Sequence, residues 1–190
     1  YVKMSANGIS NHTYWEYPFN HEKFHLSEKK LIENCEELIS EVTSEHLVSD
    51  VPVGSLLSGG LDSSLLTVMM DKVSNGKINT FSASFDDKDY DENKFSKIVS
   101  NQVKSNHFNI ILNSQDYQNN LGKVISHAAT PLSIPHEIAL NSLFQKISKH
   151  SKVVISGEGA DEMFGGYGRV QSSGFDYKKI KFVKKFIPKY

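Results

Sequence analysis

Residues 58–64 have the composition of a phosphate-binding loop, because they read Ser-Gly-Gly-Leu-Asp-Ser-Ser. The glycines Gly59 and Gly60 let the backbone turn tightly and approach a ligand without a Cβ atom in between. Ser63 and Ser64 are predicted to open a helix, whose first amides carry partial positive charge and lack partners within the helix. Serine hydroxyls and such amides together form a cradle for phosphate.

Asp62, within the same segment, is suited to a metal rather than to phosphate itself. Its carboxylate repels phosphate but can bind Mg²⁺, which in turn binds phosphate oxygens. A glycine turn with a Ser/Asp helix cap is the alternative interpretation, and it needs no ligand. The nucleotide site is favoured because the whole segment lies between a predicted buried strand and a predicted helix. No Gly-Lys-Ser/Thr follows at the required spacing, so the segment is not a Walker A loop.

A second glycine-rich segment reads Ser-Gly-Glu-Gly-Ala-Asp-Glu at residues 156–162, and Phe-Gly-Gly-Tyr follows at 164–167. Its glycines allow close backbone approach, and carboxylates lie among them. A solvated acidic loop is the alternative, but such loops rarely carry so many glycines beside a buried strand. We predict that Asp161 completes a Mg²⁺ site with Asp62, and that Glu158 faces a reacting amine or carboxylate.

Strands and helices that alternate along the chain must position these two segments. Ser27 is predicted to cap the first helix. The later strands are predicted near 51–57, 79–85, 107–112 and 152–155, and the later helices near 58–74, 91–104, 115–126 and 135–150. This alternation predicts an α/β fold, a doubly wound and mostly parallel sheet with helices on both faces. Ligands of such sheets bind beyond the carboxyl ends of the strands, where both segments lie.

Three further expectations concern packing. The continuous apolar run at residues 153–155 predicts a strand that is buried on both faces. Cys35 falls on the apolar face of the first helix, which predicts a packed thiol rather than a nucleophile. Residues 1–26 are predicted to form a linker, with a turn at Asn7-Gly8 and a short strand near Tyr14-Trp15.

Both segments resemble known motifs. Residues 58–64 resemble the pyrophosphate-binding loop, or PP-loop, of the N-type ATP pyrophosphatases, which cleave ATP between its α- and β-phosphates. Residues 156–167 resemble the second motif of the asparagine synthetase family. The strand at 80–85 resembles the family strand that lines the adenine pocket, and Tyr90-Asp91-Glu92 and the loop at 131–135 also match. The resemblance covers about residues 27–170 and implies an adenine nucleotide α-hydrolase-like, Rossmann-like fold.

The same resemblance implies roles for single residues. Asp62 and Asp161 would bind Mg²⁺-pyrophosphate, and Glu158 would lie beside an acyl-adenylate and assist the incoming ammonia. The residues that would bind ATP or pyrophosphate are Leu57, Ser58, Gly59, Gly60, Asp62, Ser63, Ser64, Ala83, Ser156 and Gly157. Residues 128–130 read Ala-Ala-Thr where relatives often have acidic residues, which leaves the substrate acid open.

The implied reaction is that of an amide ligase that releases AMP and pyrophosphate. It would convert aspartate through β-aspartyl-AMP and ammonia to asparagine, with ATP and Mg²⁺ as cofactors. Amidation of a sugar acid or of another carboxylate, closure of a β-lactam, and a nucleotide sensor without catalysis are the alternatives. Residues 1–26 would lead from a glutaminase domain, which supplies ammonia unless a separate protein does so, and 27–170 would be the synthetase domain. The basic segment 171–190 would lead to a further part that carries a catalytic lysine, so the piece alone is expected to be inactive.

Composition limits the other classes of partner. The formal net charge of −1 gives no electrostatic reason to expect nucleic acid. No apolar run approaches the roughly 18 residues of a membrane span. For the basic tail at residues 177–189, a helix that packs on a further part of the enzyme is favoured over a membrane-surface helix. The single cysteine permits no internal disulfide and fits a cytoplasmic protein. A homodimer is left open.

Overall fold

The computed structural model describes residues 1–16, 25–74, 76–85, 93–132 and 136–168. The motif at Tyr90-Asp91-Glu92, part of the loop at 131–135 and the basic segment 171–190 lie outside the described residues. The chain divides into two compact units, Tyr1–Cys35 and Glu36–Tyr190. None of the helices in the described ranges combines the length and the apolar composition needed to cross a membrane.

The first unit begins with a β-hairpin. Strands β1 (Val2–Ser5) and β2 (Gly8–Asn11) pair in antiparallel fashion around the predicted turn at Asn7-Gly8. Residues 12–16 form no regular element, so the strand predicted near Tyr14-Trp15 is wrong. The physical reason is that a tight Asn-Gly turn pairs the segments that directly flank it. Tyr14-Trp15 lies beyond the end of β2 at Asn11.

Helix α1 (Glu28–His46) starts where the sequence predicts, because the Ser27 Oγ atom accepts a hydrogen bond from the Lys30 amide at 3.3 Å. The prediction of a packed thiol at Cys35 is wrong, since this cysteine is exposed. Helical periodicity reveals that residues share one stripe, but it does not reveal what covers that stripe. In the described residues Leu38, on the same stripe, is exposed as well.

The second unit contains a four-stranded parallel sheet. Its strands are β3 (Val53–Leu56), β4 (Asn79–Phe85), β5 (Asn106–Leu112) and β6 (Val153–Ile155), arranged in the order β5-β4-β3-β6. Strand β3 is an inner strand of the sheet, because it pairs with β4 on one side and with β6 on the other. The prediction of a parallel sheet within an alternating α/β fold is confirmed.

Helices cover both faces of this sheet. Helices α2 (Leu61–Val73) and α3 (Asn93–Gln102) connect β3 to β4 and β4 to β5, so the chain moves steadily in one direction. Helices α4 (Ser114–Ala128) and α5 (His136–Ile147) bring the chain back across to β6. Because such crossovers are right-handed, reversal of direction places these two pairs of helices on opposite faces, as predicted for a doubly wound sheet.

The face that α5 covers is apolar. Its centre is Phe81, which is 1% exposed and whose ring stacks on Phe108 at 5.3 Å between centroids. Full burial of a side chain of this size stabilises the fold by about 1.5–3 kcal/mol. Lys146 of α5 donates hydrogen bonds to the Ile111 carbonyl at 2.9 Å and to the Asp116 carboxylate at 2.8 Å, which joins α5 to β5 and α4. The buried members of the cluster are Phe81, Ile110, Leu112, Leu143 and Ile147.

Strand β6 is less buried than its sequence predicts. Val153 is 38% exposed, so the prediction of burial on both faces is wrong. Within the described residues β6 pairs with β3 alone and is therefore an edge strand. A run of three apolar residues occurs in edge strands as well as in central strands, so the sequence of β6 does not reveal its position in the sheet.

The opposite face of β4 and β5 carries hydroxyl, amide and imidazole groups that bind one another. His107 Nδ1 lies 2.9 Å from Thr80 Oγ1, and the Ser82 and Ser84 hydroxyls both donate to the Asn109 side-chain oxygen. These interactions satisfy polar groups that would be costly to bury without partners. Desolvation by burial, together with the nearby charge of Lys97, lowers the pKa of His107 below its ordinary value.

We predict that His107 makes the protein less stable in mild acid. Because the lowered pKa means that the folded protein binds this proton less tightly than the unfolded chain, unfolding takes up a proton below about pH 6.5. The free energy of unfolding should be highest above that pH and fall as the pH drops from 7.5 to 5, as urea titrations at each pH will measure. His107→Asn keeps a polar atom near Thr80 and should flatten this part of the profile. An unchanged slope in that variant would contradict the prediction.

Candidate active site

Two loops meet beyond the carboxyl ends of neighbouring strands. One follows β3 at residues 57–60 and the other follows β6 at residues 156–159. The strand order reverses between β3 and β6, since the chain leaves β3 toward β4 and returns to β6 on the other side. Sheets of this class have their ligand crevice at such a reversal.

Hydroxyl groups fix the shape of the loop after β3. The Ser58 Oγ atom accepts a hydrogen bond from the Gly60 amide at 3.2 Å and lies 2.9 Å from Ser63 Oγ. The Ser63 hydroxyl in turn donates to the Gly60 carbonyl at 3.3 Å. These bonds form a closed ring within the loop. The hydroxyl of Ser63, which is buried, therefore serves the shape of the loop in addition to any contact with phosphate.

Helix α2 begins with open amides. Its N-cap is Gly60, in extended conformation, and no side chain accepts a hydrogen bond from the first turn. The prediction that Ser63 and Ser64 open the helix is therefore wrong by two residues, because glycine also serves as an N-cap. The absence of a capping side chain leaves the first amides of the helix available to an anion.

Buried contacts hold this helix and its loop in place. The Thr67 hydroxyl donates to the Ser63 carbonyl at 2.7 Å and lies 2.8 Å from Ser55 Oγ, which ties α2 to β3 beneath the loop. Gly59 has a φ of +90°, which only glycine adopts readily. A Cβ atom at Gly59 would lie 2.7 Å from the Ser96 amide nitrogen, so α3 supports the loop from behind.

The loop after β6 lies close against the first turn of α2. A Cβ atom built on Gly157 would lie 3.1 Å from the Ser63 amide nitrogen and 3.3 Å from the Asp62 carbonyl carbon. These neighbours belong to the backbone and cannot rotate away as a flexible side chain would. The contact thus brings the Glu158 loop against the first turn of α2.

A cavity of about 340 Å³ lies where the loops meet. Leu56 also lines it, although the sequence predictions do not include this residue. Successive side chains of a strand point to opposite faces of the sheet, so Leu56 and its neighbour Leu57 face different sides. This alternation is the signal in the sequence that could have identified Leu56. The predicted residues that line the cavity are Ser58, Gly60, Asp62, Ser63, Ser156, Gly157 and Glu158.

Other predicted residues do not line this cavity. Leu57 is completely buried, and its amide donates to the Phe81 carbonyl at 2.7 Å. Ala83 packs against the apolar cluster on the α5 side of the sheet. Ser64 lies one residue further into α2, and its amide donates to Gly60. The contacts predicted for these residues with a nucleotide remain predictions.

Asp161 lies in the first turn of α6 (Ala160–Phe164), which follows the loop after β6. It is not among the residues that line the cavity, whereas Asp62 is. The two carboxylates come from segments joined by the Gly157 contact, and their oxygens are the hard ligands that Mg²⁺ prefers. The chemistry of these carboxylates suits Mg²⁺, whereas no group of three or more His, Cys, Asp or Glu side chains that could hold a metal occurs among the described residues. A magnesium ion shared by Asp62 and Asp161 therefore remains a prediction.

A family model and individual relatives of this chain point to the same family. The family described as asparagine synthase matches the chain over residues 34–181. Asparagine synthetase (glutamine-hydrolyzing) 1 of Bacillus subtilis is 35% identical over 148 residues, which cover 78% of this chain and 23% of that protein. The glutamine-hydrolyzing asparagine synthetase of Zea mays is 33% identical over 143 residues, or 69% of this chain and 24% of the relative. The chain thus spans about a quarter of the length of these two relatives.

Solved structures also align with the chain. The NH3-dependent NAD synthetase from Campylobacter jejuni aligns with a TM-score of 0.49 and 15% identity, over 72% of this chain and 60% of that one. NMN synthetase from Francisella tularensis aligns with a TM-score of 0.48 and 15% identity, over 76% of this chain and 60% of that one.

We predict that Gly157→Ala weakens ATP binding. The new methyl group would lie 3.1 Å from the Ser63 amide nitrogen and would shift the loop after β6 relative to the first turn of α2. Overpacking of this kind costs about 1–3 kcal/mol. Isothermal titration of the full-length protein with ATP in the presence of Mg²⁺ measures this loss.

Gly122→Ala is the matched control, because no atom lies within 4 Å of the position of its Cβ atom in α4. It should leave ATP affinity unchanged and stabilise the helix by up to about 1 kcal/mol. If Gly157→Ala binds ATP as tightly as the wild type, the contact between the loops has no role in the site.

Proposed function

The chain belongs to the asparagine synthase family, and from this premise we propose that it is the ATP-binding part of a ligase that converts a carboxylate to an amide through an acyl-adenylate. The observation that carries this proposal is the backbone contact of Gly157 with Asp62 and Ser63, which joins the two signature loops around one cavity. The names of the relatives, glutamine-hydrolyzing asparagine synthetases, favour aspartate as the acid and asparagine as the product.

In the first step the substrate carboxylate attacks the α-phosphorus of ATP and pyrophosphate leaves. Negative charge develops on the pyrophosphate as the bond breaks. The uncapped amides of α2, which follow Gly60, are oriented to stabilise that charge without reorganisation. The ring of hydrogen bonds between Ser58, Gly60 and Ser63 holds these amides in position before the substrate arrives.

Asp62 and Asp161 are the proposed magnesium ligands. When bound, Mg²⁺ would neutralise charge on the phosphate oxygens. Asp62 lies in the first turn of α2 and Asp161 in the first turn of α6, so each loop would contribute one carboxylate. As a metal ligand, Asp62 would help to bind phosphate through Mg²⁺, whereas its negative carboxylate would repel phosphate in a direct contact.

In the second step ammonia attacks the acyl carbon, a C–N bond forms and AMP leaves. Glu158 is exposed and lines the cavity from the β6 side, and in this proposal its carboxylate would accept a proton from the attacking nitrogen. The ammonia would come from a glutaminase domain or from a partner protein. The names of the relatives, which include glutamine hydrolysis, support this source.

A related ligase that acts on another acid is the second candidate. The observation that favours it is the sequence Ala-Ala-Thr at residues 128–130, which has no acidic side chain where the family resemblance led us to expect one. Helix α4 ends at Ala128, and Ala129 has a φ of +53°. A sugar acid or a β-lactam precursor would then replace aspartate, while the ATP chemistry stays the same.

We predict that the full-length protein releases AMP and pyrophosphate when it receives ATP, Mg²⁺, aspartate and ammonia. Asp62→Asn should lower this rate on the order of 100-fold, since the metal charge contributes several kcal/mol to the transition state. A coupled pyrophosphate assay with chromatographic detection of asparagine gives both readouts.

Asp71→Asn provides the matched control, because it makes the same change at the other end of α2. It should leave the rate within about twofold of the wild type, as surface substitutions away from a site usually have small effects. Release of pyrophosphate with another acid but not with aspartate would support the second candidate. Binding of ATP without pyrophosphate release for any acid would instead indicate a nucleotide sensor.

A further inference from the structure

We propose that Glu162 and Tyr167 are positioning residues whose hydrogen bond fixes the segment that carries Asp161, and thereby the location of the Asp161 carboxylate. The Tyr167 hydroxyl donates to Glu162 Oε1 across the C-terminal end of α6. This inference rests on the proposed function, because it concerns how the chain prepares one of the two proposed magnesium ligands.

Burial does not fix the conformation of this segment. Helix α6 has five residues, and none of them is buried. Its flanking residues Gly159 and Gly165 both have positive φ, at +95° and +69°. Glycine at such positions leaves the backbone more freedom than any other residue would. Local hydrogen bonds must therefore define the geometry.

Backbone bonds supply part of that definition. The amides of Gly165 and Gly166 both donate to the Asp161 carbonyl, which closes the end of the helix. The backbone of Gly166 then lies directly against the Asp161 side chain, and a Cβ atom on Gly166 would overlap Asp161 Oδ1. The path of the chain through Gly166 therefore determines the space that the carboxylate occupies.

The side-chain bond between Tyr167 and Glu162 adds a further constraint. Tyr167 follows Gly166 directly, and its hydroxyl reaches back to Glu162, the residue after Asp161. The bond thus encloses the two glycines and holds both ends of the segment together.

Titration of Mn²⁺ into the full-length protein with a non-hydrolysable ATP analogue tests the inference, with electron paramagnetic resonance as the readout. Tyr167→Phe and Glu162→Ala should each raise the half-saturating Mn²⁺ concentration by about tenfold, as expected for loss of a hydrogen bond to a charged group. Glu162→Gln should fall between the wild type and Glu162→Ala, because its side-chain oxygen still accepts from Tyr167 but is an uncharged and weaker acceptor. The double variant Tyr167→Phe/Glu162→Ala should be no weaker than either single variant.

Met163→Ala is the matched control, since Met163 belongs to the same helix and is 74% exposed. It should leave Mn²⁺ affinity unchanged. An unchanged affinity in Tyr167→Phe, or equal losses in Glu162→Gln and Glu162→Ala, would overturn the positioning role. Pyrophosphate release by the wild type is measured in parallel. If the wild type releases none with any acid, the proposed function fails, whereas the Mn²⁺ titration still decides the role of the pair.

Discussion

The site depends on one steric condition, which is that the backbone of Gly157 packs against Asp62 and Ser63. The two segments are far apart in sequence, so this contact forms only if β6 pairs with β3. The chain must therefore return across β4 after β5, and α4 and α5 must cover the second face of the sheet. The Ser151 hydroxyl donates to the Pro52 carbonyl at 2.9 Å and fixes the start of β6 beside the start of β3. The strand order of the second unit therefore brings the loops after β3 and β6 next to each other.

The two faces of the sheet contribute differently to this arrangement. The apolar cluster around Phe81 supplies burial, which stabilises the fold without regard to direction. The opposite face uses directional bonds, such as the buried pair Ser55 and Thr67 beneath the loop after β3. Directional bonds specify one relative placement of α2 and β3, and a small error there would shift the first amides of α2. The polar face therefore lies under the loop that requires the most accurate geometry.

Much of this organisation could be predicted from the sequence, because strand and turn patterns are local. The sequence predicts β4 with the bounds Asn79–Phe85 that the structure has, and it predicts both loops at one edge of a parallel sheet. The errors concern environment rather than element type. The exposure of Cys35 and of Val153 depends on what packs beside them, which a period of 3.6 or 2 residues does not report. The ring of bonds around Ser58 is equally invisible, since it depends on the rotamers of two serines.

The two halves of the site differ in what holds them. The loop after β3 rests on buried Thr67 and on the backbone of α3, so contacts within the packed unit support it. The segment after β6 has no buried residue in α6 and relies on glycine conformations and exposed hydrogen bonds. Segments of that kind open at a lower free energy than the core of the same protein. The side of the cavity formed by the loop after β3 is therefore held by the packed fold, whereas the segment after β6 that leads to Asp161 owes its geometry to local bonds. The position of Asp161 thus depends on the local hydrogen bonds and glycine conformations of this segment.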